Sequence, residues 1–138
     1  MGRIYLIKQV FHIRNYWEVI VFYDLDYNLF YDIEELLLDC GASVEEIDEL
    51  YCMMRYNGAL AVTFSNTKLK VSVVLFNKHQ TKQSYINSIV HEAEHVKQAV
   101  LRTYDVDDKG EDAAYTIGFI VGQMYRGFYS LMCNCSKP

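Results

Sequence analysis

Residues 59–104 read ALAVTFSNTKLKVSVVLFNKHQTKQSYINSIVHEAEHVKQAVLRTY. The first part, 59–65 and 69–76, is two β-branched runs separated by Asn66-Thr67-Lys68, which predicts a hairpin. Thr81 then stands as an N-cap before a long 3.6-residue apolar period, predicting a helix over 82–104. Upstream, 4–11 and 17–24 are rich in β-branched and aromatic residues and predict two more strands. Between the strand pairs, Asp32 with Glu35 predicts a capping box opening a short helix that stops at Gly41. Ser43 with Glu46 predicts a second box, followed by Val44, Ile47, Leu50, Tyr51 and Met54 at helical spacing, ending at Asn57-Gly58. Downstream of a loop, Asp105 to Gly110, a last helix is expected over 111–132. The order ββααββαα predicts an α+β domain: a small antiparallel sheet with the long helix and the C-terminal helix packed beside it.

The composition bounds what such a chain can do. Its 138 residues are 51% hydrophobic and 22% charged, which excludes a disordered chain and predicts one domain over 1–138. The net charge of −5 comes from 13 basic and 18 acidic residues, with no Lys/Arg run, so a nucleic-acid partner held by a basic face is not expected. The N-terminus lacks the pattern of a secretion signal, and the apolar stretch 117–121 is too short to span a bilayer, so no membrane partner is expected either. The expected location is the cytoplasm: the host cell's cytoplasm, or the virion, if the gene belongs to a phage. There, Cys40, Cys52, Cys133 and Cys135 read as free thiols. Cys133-x-Cys135 has an unusual spacing for a metal pair and reads as chain end. The 12 tyrosines suit half-buried strands and contact surfaces.

The chemistry sits in His91-Glu92-Ala93-Glu94-His95. Histidines at i and i+4 share a helix face and can converge on one Zn²⁺ at ~2.1 Å each. Glu92, turned ~100° from His91, sits beside such an ion and can take a proton from its water. A chance HExxH in a chain of this size falls below about 1%, so the motif carries the reading. At ~100° per residue, Ile86, Ile89, Val90, Ala93, Val96 and Val100 cluster on one side, and the two histidines point roughly opposite, flanked by Ser88, Gln98 and Arg102. They are therefore not core histidines; a cleft wall and open solvent both remain.

A catalytic zinc site needs a third protein ligand. Glu111, 16 residues after His95, opens the last helix. The stripe Ala114, Gly118, Gly122 would allow close helix approach and bring Glu111 against the histidine face. The alternative for Glu111 is a capping partner of Asp108. Tyr115, one turn on, is a candidate oxyanion donor or a packing residue. Asn87 and Asp112 are candidates for orienting a histidine ring. His79, about ten residues up the helix and so ~15 Å from His91, reads as a surface residue at a strand end. His12 has no evident partner.

A hairpin feeding an HExxH helix, then a helix opening on Glu, resembles the zincin metallopeptidases. Within them it is similar to a minimal gluzincin, a type that includes the repressor-cleaving metallopeptidases of mobile elements. The stretch 81–131 also looks like small proteins of gut-bacterial phages and mobile elements. The resemblance covers about 59–131 through His91, Glu92, His95 and Glu111. It implies a zinc-dependent hydrolase cleaving a peptide or protein substrate, with Zn²⁺ as cofactor, Glu92 and Tyr115 as catalytic residues, and substrate added as a strand along a sheet edge. Glu94 departs from the family's preference for uncharged residues between Glu92 and the second histidine. With the net charge, it points to a substrate with basic residues near the cleavage point. The alternative is a non-catalytic structural or interaction protein of a phage or mobile element on a zincin-like scaffold. Oligomeric state is not legible.

Overall fold

The structure, a computed structural model, describes residues 5–105 and 109–136, with side chains as far as Leu131 at the C-terminal end. Its elements are β1 (Ile7–Ile13), β2 (Trp17–Tyr23), a 3₁₀ turn (Tyr27–Leu29), α1 (Phe30–Asp39), α2 (Val44–Arg55), β3 (Ala61–Asn66), β4 (Val71–Phe76), α3 (Lys82–Thr103) and α4 (Glu111–Ser136). The α+β order is as expected. The local signals for α2 and α3 act where they were read. Ser43 and Glu46 close a reciprocal capping box, and Thr81 accepts from the Ser84 amide at 3.0 Å. Gly41, at φ +90°, turns the chain between α1 and α2 in a conformation that other residues rarely adopt.

Two fold expectations are corrected. First, α1 starts at Phe30, so Asp32 lies within its first turn and caps nothing. The cap belongs to Asp26, which accepts from the Asn28 amide at 3.0 Å and opens the preceding 3₁₀ turn. Second, the sheet is mixed. Its order is β1-β2-β4-β3: both hairpins are antiparallel, but β2 and β4 run parallel at the centre, with Val21 opposite Val74. The segment through α1, α2 and β3 carries the chain from one central strand to the other. Every residue of β4, and all of β2 except Glu18, is buried. Uninterrupted apolar runs mark strands covered on both faces, and VIVFY (19–23) and VVLF (73–76) are such runs.

Helices supply the two covers. On one face Val19, Val21, Tyr23, Val74 and Phe76 pack with Ile89, Ala93, Val96 and Val100 of α3 and Ile120, Met124 and Phe128 of α4. On the other, Ile20, Phe22, Val73 and Leu75 pack with Ile33 and Leu37 of α1 and Ile47 and Met54 of α2. Trp17 is fully buried, and its indole N–H donates to the equally buried Ser72 hydroxyl at 3.0 Å. Removing the Ser72 hydroxyl would leave the indole N–H unsatisfied in the interior, whereas Ser72 also meets the Ser65 hydroxyl at 2.7 Å.

Candidate functional site

Helix α3 lies under the hairpin, against β3, the edge strand next to β4. Its buried face is close to the expected one, with Ile89, Ala93, Val96 and Val100 inside; Val90, expected in that set, is exposed. On the flank, His91 and His95 are exposed, and their imidazoles converge. The two Nε2 atoms are 3.2 Å apart and the ring centroids 4.8 Å apart, with planes at 79°. Two nitrogens each ~2.1 Å from a tetrahedral ion stand ~3.4 Å apart, so the pair has nearly the spacing that two zinc ligands require.

Glu92, next to His91 in the chain, is buried. It is 4% exposed, and its Oε1 accepts from the Thr63 hydroxyl at 2.7 Å. Thr63 belongs to β3, so the edge strand holds the carboxylate. A groove of about 550 Å³ opens here, walled by Gly58, Leu60 and Ala61 at the start of β3 and by Ser88, His91 and Glu92 of α3. His91 is thus part of a cleft wall, which the helix phase alone had left open.

The departure at Glu94 has a local cause. Lys97, one turn on, is 7% exposed, and its ammonium donates to Glu94 Oε1 at 2.6 Å. A buried ammonium needs a counter-charge, and Glu94 supplies it.

His79 was expected on the surface, far from His91. The segment before α3 instead folds back, placing His79 Nε2 2.8 Å from the hydroxyl of Ser88, which lines the groove. Its Nδ1 is 2.7 Å from the Asn77 carbonyl and its ring stacks on Tyr85 at 4.2 Å. A carbonyl only accepts, so Nδ1 carries the proton and the neutral ring accepts from Ser88 through Nε2. Burial lowers its pKa, against the Asn77 hydrogen bond and the Asp24 charge, which raise it. The helical rise behind the 15 Å figure does not apply to a segment outside the helix.

The small-residue stripe of α4 does not do what was expected of it. Ala114, Gly118 and Gly122 are exposed, and nothing lies within 4 Å of where a Cβ would stand at Gly118 or Gly122. The bulkier stripe, Ile120, Met124 and Phe128, faces the core because it buries more apolar area. The small residue at a close approach is Gly127, where an added Cβ would meet Gln9 Oε1 and stand 2.7 Å from the Tyr23 hydroxyl. That hydroxyl donates to Gln9 Oε1 at 2.6 Å, and Gln9 donates to the Gln123 carbonyl at 2.8 Å, tying α4 to β1.

Glu111 accordingly lies in a different hollow, with Arg14, Asp112, Ala114 and the exposed Tyr115. Asp112 pairs with Arg14 at 3.6 Å, and Asn87 accepts from Gln83 at 3.1 Å; neither orients a histidine. Among the described residues, no three His, Cys, Asp or Glu side chains form a group that could hold a metal ion. Asp108, the alternative partner of Glu111, and the side chains of Cys133 and Cys135 lie outside the described residues. Cys40 and Cys52 are free thiols. His12 has a partner after all: Glu18, directly across the β1–β2 hairpin, at 3.5 Å.

No known relative adds to this. Comparison with known proteins yields no match to a family model, a curated protein or a solved structure. Among the described residues, no helix is long and apolar enough to cross a membrane.

Proposed function

We propose that the chain is a zinc-dependent hydrolase of the metallopeptidase type, acting on a peptide or protein substrate. The observation that carries the proposal is the 3.2 Å convergence of His91 and His95 beside a buried glutamate at a sheet edge. In this reading His91 and His95 hold Zn²⁺ through Nε2. A zinc ion held there would supply Lewis acidity towards the scissile carbonyl and the attacking water. Glu92 accepts the water's proton and returns it to the leaving amine, while Thr63 holds its carboxylate in place. The unpaired edge of β3 offers main-chain hydrogen bonds to an extended substrate. Glu111 serves as third ligand, which requires the first turn of α4 to move from the Arg14 hollow towards α3. The free thiols at Cys40 and Cys52 suit a reducing compartment such as the cytoplasm.

The present position of Glu111 favours a second reading, a non-catalytic interaction protein on the same scaffold. One experiment separates the two. Protein purified without chelator is analysed for metal and assayed on a peptide library. The proposal expects about one zinc per chain, lost in His91→Ala and His95→Ala. It also expects cleavage that falls by ~100-fold or more in Glu92→Gln while zinc is kept. Zinc at full stoichiometry in His91→Ala would refute the site. No cleavage by zinc-loaded wild type across a broad library would favour the interaction protein.

A further inference from the structure

On the sheet face opposite α3 and α4, helices α1 and α2 leave an apolar groove of about 370 Å³ between them. Its walls include the Tyr27, Phe30 and Tyr51 rings, and its lip carries Tyr31, Leu38 and Val44, which are 63%, 45% and 69% exposed. Three large exposed apolar side chains lining one groove, two from α1 and one from α2, are of the kind that marks a binding surface. Only two carboxylates, Glu34 and Asp48, interrupt the lining, and no basic residue does.

The surroundings say what covers it. Eleven of the chain's 18 acidic residues fall between Glu18 and Glu49, and no Lys or Arg occurs between Arg14 and Arg55. Four of these carboxylates are on α1 and four on α2. Among the described residues, the ion pairs His12–Glu18, Arg14–Asp112 and Lys97–Glu94 involve none of the eight carboxylates on α1 and α2, so the charge of these two helices is not paired off by them. A field of one sign around an apolar slot repels nucleic acid and anionic lipid and attracts a cationic partner. The aromatic wall already shows that chemistry at its end. The Arg55 guanidinium stands 5.3 Å from the Tyr27 ring centroid and 5.6 Å from that of Tyr51.

We infer that the α1–α2 groove docks a basic amphipathic helix of a protein partner. Its apolar stripe fills the slot over Leu38, Val44 and Tyr31, and its lysines and arginines flank Glu34 and Asp48. A slot between two helices of 10 and 12 residues presents ~15–18 Å of length. That accommodates about three turns of a third helix, reading anchors at i, i+3 or i+4, and i+7. The inference is independent of the hydrolase reading, since this surface lies across the sheet from the histidines.

The test uses the full chain and a defined probe: a fluorescein-labelled amidated peptide of leucine and lysine with all leucines on one helical face. The control is a peptide of the same composition, scrambled so that no apolar face forms. Anisotropy titrations should show the facial peptide binding at least about tenfold tighter than the scrambled one. Leu38→Ser with Val44→Ser, both exposed positions, should remove about tenfold of that affinity without changing the circular dichroism spectrum. Glu34→Gln with Asp48→Asn should weaken binding at low salt more than at high salt. In wild type, the peptide should shift the methyl resonances of Leu38, Val44 and Ile47 but not those of Ile89 or Val96. Equal binding of the scrambled peptide, or undiminished affinity in the serine variant, would reduce the effect to bulk charge and overturn the inference. So would a wild-type dimer by light scattering that the serine variant dissolves, since a second copy would then fill the groove.

Discussion

Thr63→Val asks whether the edge strand holds the catalytic candidate. Valine keeps the shape and β-propensity of threonine but removes the only hydroxyl that the described structure places on Glu92 Oε1, at 2.7 Å. A hydrogen bond to a charged group contributes about 1.5–3 kcal/mol net, and Glu92, at 4% exposure, has little water to replace it. Unfolding entropy of ~2.1 cal/mol/K per residue amounts to ~0.29 kcal/mol/K for this chain, so the loss corresponds to a fall in Tm of ~5–10 °C. Thermal unfolding by circular dichroism at neutral pH measures it. Thr63→Ser, which restores the hydroxyl, should recover most of the loss. Glu92→Gln should lie near wild type, because its amide oxygen still accepts from Thr63. Zinc content should be unchanged in Thr63→Val while any peptide cleavage falls. A Thr63→Val protein within about 1 °C of wild type would refute the reasoning, since the buried carboxylate would then not depend on the strand.

Three further outcomes follow from the same geometry. Gly122→Ala should raise stability by about 0.5–1 kcal/mol, because it adds helix propensity in open space. Gly127→Ala should lower it by about 1–3 kcal/mol through overpacking against Gln9 and Tyr23; equal effects in urea unfolding would mean that α4 presents a different face. His79 has a pKa lowered by burial, so the unfolded chain binds its proton more readily than the folded one. The stability it contributes is present above the ordinary histidine pKa of ~6.5 and is lost as pH falls through that value towards the folded one. His79→Gln should flatten that part of the stability–pH profile, and an unchanged slope would contradict the assignment. Glu111→Gln should weaken zinc strongly if Glu111 is the third ligand, and calorimetric titration showing unchanged affinity would leave it a surface residue of the Arg14 hollow.

Much of the local structure was legible because its causes are local. Ser43 with Glu46, Thr81, Gly41 and the hairpin around Asn66 act within a few residues of themselves, so the helices and strands begin and end near where the sequence places them. HExxH is local too: a 3.6-residue helix alone suffices to bring His91 and His95 to one flank and to turn Glu92 off it. Strand direction was not local. The pairing of β2 with β4 depends on where α1 and α2 carry the chain; the apolar runs at 19–23 and 73–76 are of the kind that marks burial on two faces, but they do not give strand direction. The facing of α4 was decided by competition between two stripes of one helix. Only packing against β1 and α3 showed that Ile120, Met124 and Phe128 take the core and leave Gly118 and Gly122 outside, and with that choice Glu111 went to the Arg14 hollow. His79 reached Ser88, and Thr63 reached Glu92, across separations of nine and 29 residues. Such contacts have no periodic signature in a sequence, because they are set by where independently folded segments meet, and tertiary structure alone decides that.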